Sequence, residues 1–80
     1  MKLTFTERFN ILIGKPYLLN KNTGEVHDLR NKKPSCFTFM MNKKNKQYIS
    51  KKHFKQIFNK EKYGVLINGC KHCNSNFDLG

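Results

Sequence analysis

The feature that most limits what this chain can fold into is the cysteine pair in Asn68-Gly69-Cys70-Lys71-His72-Cys73. Two thiolates with two residues between them can close on one tetrahedral metal ion, while the intervening backbone amides point at sulfur. The chain has one other cysteine, Cys36, which offers a third thiolate, and His27 offers a fourth donor. The set predicts a closed Cys3His zinc site, and with it a metal-stapled module rather than an enzyme built around a deep pocket. A staple suits the composition. Eighty residues, 38% of them hydrophobic, with a mean hydropathy of −0.71, predict one domain (1–80) with a thin core. That is near the size at which apolar burial alone stops being sufficient.

Three cysteines cannot all pair within one chain, and a disulfide framework normally shows an even count with a secretory signal. The residues after Met1 contain no apolar run suited to a signal peptide, and no stretch approaches the roughly 20 apolar residues of a membrane span. The expectation is a reduced, cytoplasmic protein that does not engage a membrane. The formal net charge is +11, with fourteen lysines, two arginines and only five acids. Lysine and asparagine richness can follow from an AT-rich coding sequence, which would favour glutamate as well, so the scarcity of acids is the informative half. It points to a polyanionic partner, nucleic acid before an acidic protein.

Along the chain, Thr4-Phe5-Thr6-Glu7 fits a capping box, and Phe5, Phe9, Leu12 and Ile13 then share one helical face ahead of Gly14 and Pro16. Leu3, Phe5, Phe9, Ile11 and Ile13 also fit strand alternation, so residues 1–15 read as a helical or extended segment, with the helix preferred. A hairpin follows: Tyr17–Leu19, a turn over Asn20–Gly24, and a second arm from Glu25 to Leu29. After the Pro34 break, Cys36–Met41 reads as a third strand and Gln47–Ile49 as a short fourth. Ser50 is a good N-cap for a helix carrying Phe54, Ile57 and Phe58 on one face, with Ile49 stapled to Phe54 and Tyr63-Gly64 ending it. Among the aromatics, Phe37, Phe39, Phe54, Phe58 and Tyr63 read as core, and Tyr17 and Tyr48 as the more exposed. The fold class is therefore α+β: a small antiparallel β-meander with one or two short helices, stapled by zinc, its metal-binding core spanning 17–73.

Two further histidines compete for the fourth ligand position. His72 lies between the paired cysteines, where its ring would point away from a shared ion, whereas His53, in the first turn of the Ser50-capped helix, could reach a site beneath it. Without a metal, Cys36 would be a small buried hydrophobe and His27 a surface residue of the hairpin. A redox role for Cys70-Lys71-His72-Cys73 is chemically conceivable, because nearby cations lower a thiol pKa. Such motifs, however, open a βα unit leading into a larger sheet, and no such pattern follows Cys73.

The order of these features resembles the Ada-type metal-binding domains of bacterial alkylation-repair regulators, which in variant form are appended to some nucleases. The residues carrying the resemblance are Tyr17-Leu18-Leu19-Asn20, His27, Cys36, Tyr48-Ile49-Ser50 and Gly69-Cys70-Lys71-His72-Cys73. The resemblance implies zinc held by His27, Cys36, Cys70 and Cys73, and DNA contact. Two departures stand out: the gap from His27 to Cys36 is longer than the family's, and Ile67-Asn68-Gly69 replaces the aromatic-Arg-Pro lead into the CxxC. Methyl transfer does not carry over, because His27 stands where the family's repair members have a cysteine.

Lysines cluster at Lys32 and Lys33, at Lys43, Lys44 and Lys46, and at Lys51, Lys52 and Lys55. Such clusters can contact phosphates through salt-sensitive Coulomb attraction, although a solvated face accounts for any one of them equally well. Few arginines means little base-specific reading. The functional expectation is a non-catalytic zinc module that binds nucleic acid, DNA before RNA, through a lysine-rich face. The alternative is a small accessory factor, an inhibitor or adaptor of the kind mobile elements and phages encode, that targets an acidic protein. No paired carboxylates, phosphate loop or nucleophile–base pair suggests an enzyme or a small-molecule substrate.

Overall fold

The structure, a computed structural model, describes residues 3–33, 36 and 41–79. Its first element, α1, is a helix over Phe5–Leu12, and the reason is local. The Thr4 hydroxyl accepts from the Glu7 N–H at 3.2 Å, and the Glu7 carboxylate accepts from the Thr4 N–H at 2.8 Å. This reciprocal box satisfies two donors that a helix start otherwise leaves open. Gly14, at φ +86°, turns the chain out of the helix. The helix sits with its polar side inward: Glu7 is its buried residue, while Phe5, Phe9 and Leu12 are exposed. Lys32 explains the inversion, since its Nζ lies 2.9 and 2.8 Å from the two Glu7 oxygens in a buried ion pair.

The hairpin forms where the turn residues demand it, with β1 over Tyr17–Asn20 and β2 over Glu25–Asp28. Asn20 Oδ1 accepts from the Asn22 N–H, and Gly24 takes φ +80°. A side chain at Gly24 would also run into the Leu66 carbonyl, so glycine is required there by both backbone angle and space. The strand β3, Lys46–Ile49, pairs antiparallel with the outer side of β1, and β6, Asn68–Gly69, pairs parallel with β2. The sheet order is therefore β3-β1-β2-β6. The α+β class stands, but the sheet departs from a simple antiparallel meander, because the chain returns across β1 and later adds a parallel edge beside β2.

The sheet separates two environments. Tyr17, Leu19, Val26 and Ile49 join Phe54, Ile57 and Ile67 in the buried cluster, with Phe58 and Phe77 packed against it. The helix α2, Lys51–Ile57, delivers Phe54 to this cluster, where its ring lies 5.0 Å from Tyr17 and 4.9 Å from Phe77. Ser50 caps α2 by accepting from the His53 N–H at 3.1 Å. Alternation along the hairpin places Leu18 and His27, which are direct partners, on the opposite face.

Several expectations change. The helix α2 ends at Ile57 rather than Tyr63, because Phe58 leaves helical geometry and Asn59 is left-handed at φ 60°. Tyr63-Gly64, both at positive φ, instead turn a two-stranded ribbon of β4, Glu61–Lys62, and β5, Val65–Leu66. Tyr17 is core and Tyr63 is exposed, the reverse of the sequence reading, because Tyr17 faces Phe54 and Tyr63 rides on the ribbon tip. Cys36 stands in a turn rather than a strand, its N–H donating to the Lys33 carbonyl at 3.0 Å. Met41 is likewise outside any strand, and the rest of the expected strand, with Phe37 and Phe39, lies outside the described residues. Among the described residues, no helix is long and apolar enough to cross a membrane.

Candidate metal centre

The fold carries three separate segments to one point: His27 from β2, Cys36 from the turn after Lys33, and Cys70 and Cys73 from the loop after β6. The His27 ring nitrogen and the three sulfurs all lie within 4.8 Å of one another. Two of the edges are closely defined. Cys36 Sγ is 3.8 Å from Cys70 Sγ, and Cys73 Sγ is 3.6 Å from His27 Nδ1. None of the sulfurs is in a disulfide, and all but Cys36 of the four side chains are buried. These are the four residues that the sequence suggested as ligands, and the fold brings them together. His53, the competing donor on α2, does not belong to the group, and His72 is exposed between the cysteines.

The parallel pairing of β6 with β2 holds the cysteine loop in register with His27. The Cys70 N–H donates to the Val26 carbonyl at 2.9 Å, and Asn74 Nδ2 donates to the same carbonyl at 3.2 Å. The Asn74 N–H closes the loop on the Cys70 carbonyl at 2.8 Å. Gly69 is needed because the loop folds back over it: a Cβ there would stand 2.7 Å from both the Asn74 oxygen and the Phe77 Cβ.

Electrostatics follow from burial. Desolvation raises both the Cys70 and Cys73 thiols above their usual range, because charging a sulfur there without a counter-ion is unfavourable. Oriented amides oppose it: the Cys73 and His72 N–H groups face the Cys70 sulfur, and the Asp28 N–H faces Cys73. Burial lowers His27 to about 4, with the nearby Lys32 ammonium adding to the effect, so its imidazole is neutral at physiological pH. A neutral imidazole and sulfurs already facing N–H dipoles form a donor set for a cation that supplies the missing positive charge.

Glu25 completes the arrangement and was not identified from the sequence. Its Oε1 lies 3.3 Å from His27 Nε2, on the side of the ring away from Cys73. A carboxylate on that side favours a proton on Nε2, which leaves Nδ1, the nitrogen facing Cys73, as the available donor. The spacing of two residues on one strand would have pointed to it, since positions i and i+2 share a face.

The lysines singled out from sequence fall into two groups. Lys51, Lys52 and Lys55 line an open hollow of about 530 Å³ on α2. Lys43 and Lys46 line another of about 460 Å³ with Thr4, Thr6 and Tyr48, while Lys44 is exposed in the preceding turn. Lys51 and Lys55 also border a cleft of about 270 Å³ whose far wall is the segment from Cys73 to Phe77. No family model, curated protein or solved structure matches the chain.

Proposed function

We propose that the centre holds one zinc ion and that the protein is a non-catalytic zinc module binding nucleic acid, DNA before RNA, beside that centre. The ligand spacing is the observation that supports zinc. With Zn–S near 2.3 Å and Zn–N near 2.0–2.1 Å, a tetrahedron has S···S edges of about 3.8 Å and S···N edges of about 3.6 Å. The two defined edges here are 3.8 and 3.6 Å. Three thiols and an imidazole, with no open carboxylate position, suit a structural rather than a catalytic ion. The same four residues are among those that carry the resemblance to Ada-type domains, which on this reading is a shared metal scaffold without methyl transfer.

The cleft beside the centre supports the nucleic-acid reading. Lys51 and Lys55 on one side face Ser75 and Asn76 on the metal loop, with Asn31 at the edge. The Asp28 carboxylate that also borders it is already taken up by the Arg30 N–H and the Asn31 amide. Cations and neutral donors around a cleft suit a phosphate backbone and give little sequence discrimination.

Fluorescence anisotropy with a labelled DNA duplex tests this. The expected result is binding that weakens steeply between about 50 and 200 mM salt, with Lys51→Gln/Lys55→Gln lowering both affinity and salt slope. Absence of binding at low salt, or a slope untouched by the double substitution, would overturn the nucleic-acid reading.

A further inference from the structure

The inversion of α1 leaves an apolar surface that neither the core nor the metal centre uses. Phe5 is 84% exposed, Phe9 51%, Leu12 83% and Ile13 50%. Their spacing of i, i+4, i+7 and i+8 lines them along one side, and the Phe5 and Phe9 rings stack with centroids 6.5 Å apart. Helices packed on a globular core ordinarily turn such a stripe inward. Here the Glu7–Lys32 ion pair holds the opposite side in the protein, and the Thr4 box fixes the start. The stripe is thus presented outward on a helix that needs no further ordering, which lowers the entropic cost of association.

Charge decides what suits it. Between residues 3 and 24 the sole acid is Glu7, and that carboxylate is consumed by Lys32. Arg8 and Lys15 are exposed along and just beyond the helix, and Lys43 and Lys46 line the hollow against Thr4 and Thr6. The rim is therefore cationic around an apolar centre. A second copy of the chain would bring Arg8 against Arg8 with no acid between them, on molecules each carrying +11. A lipid surface would have two helical turns to hold the whole protein. An opposing helix can instead seat its own ridge on the stripe while acidic residues flank it and meet the rim.

We infer that α1 is a docking helix for a partner protein that presents an acidic amphipathic helix, using Phe5, Phe9, Leu12 and Ile13 as anchors and Arg8 with Lys43 and Lys46 as the charged rim. The surface is separate from the α2 cleft, so the inference does not depend on nucleic-acid binding.

The test is selection from a phage-displayed library of helical peptides against the full, metal-loaded chain, followed by calorimetry with the enriched peptides. Acidic peptides with apolar residues at helical spacing should be enriched, and they should bind Phe5→Ser/Phe9→Ser at least about ten-fold more weakly, as expected for central apolar anchors. Arg8→Glu should weaken them too. Both substitutions are at exposed positions, and circular dichroism checks that each variant remains folded. Enrichment of no peptide, of neutral or basic peptides, or of peptides indifferent to the double substitution would overturn the inference. So would Phe5/Phe9-dependent self-association in sedimentation equilibrium. Phe5/Phe9-dependent sedimentation with phosphatidylglycerol vesicles, without peptide binding, would assign the stripe to a lipid surface instead.

Discussion

If the centre holds zinc as proposed, removing the ion should unfold the protein, and the magnitudes show why. An 80-residue domain has a net stability of roughly 4–12 kcal/mol. A structural zinc in a comparable thiolate–imidazole set contributes about 10–16 kcal/mol at neutral pH. A zinc ion at the proposed centre would therefore contribute as much as the whole fold possesses. Among the described residues little is left to replace it: the buried cluster contains seven of them, and the exposed α1 stripe lies outside it. Without the ion, two buried thiols, a buried imidazole and the half-buried Cys36 thiol are left with only weak mutual contacts at 3.6–3.8 Å. The turn bearing Cys36 and the loop after β6 would also lose the atom that joins them to β2. The assay is native mass spectrometry for stoichiometry, combined with proton–nitrogen NMR and thermal melting before and after excess chelator. One zinc per chain is expected, with collapse of the dispersed spectrum on chelation and recovery on adding zinc back. A chelated protein with an unchanged spectrum, melting within about 5 °C of the untreated sample, would bound the metal's contribution near 1 kcal/mol and refute the reasoning.

The buried Glu7–Lys32 pair gives a second outcome: Lys32→Met leaves a carboxylate uncompensated and should cost roughly 3–5 kcal/mol in denaturant titration, much of it recovered by adding Glu7→Gln. The pH dependence has a defined sign. Burial alone would raise Glu7, but the Lys32 and Thr4 hydrogen bonds with the Lys32 charge hold it below its usual 4.5. Its contribution is full above 4.5 and lost as pH falls through the lower folded value, so the stability gap between wild type and Glu7→Gln should shrink on acidification. Gly24→Ala should destabilise the hairpin by more than about 1 kcal/mol in thermal melts, since it combines positive φ with a collision at Leu66. An unchanged melting temperature would show that the β5 segment can yield.

What the sequence determined by itself were features whose cause lies within a few residues. The Thr4–Glu7 box, the Asn20–Gly24 turn, the Ser50 cap and the closely placed Cys70–Cys73 thiol pair each rest on groups one to four positions apart, and the structure has each of them. Helix or strand for residues 5–12 was open on apolar spacing alone, and the capping bonds resolve it as helix. Tertiary structure decided whatever depended on partners far along the chain. Lys32, twenty-five residues from Glu7, sets which side of α1 faces in and so leaves its aromatic stripe outside. The pairing of β6 with β2 brings Cys70 to His27 rather than to His53, although spacing permitted both. Local signals are written in the covalent neighbourhood, where few conformations compete. The ligand set and the exposed stripe arise from contacts between segments that become neighbours only when the chain folds.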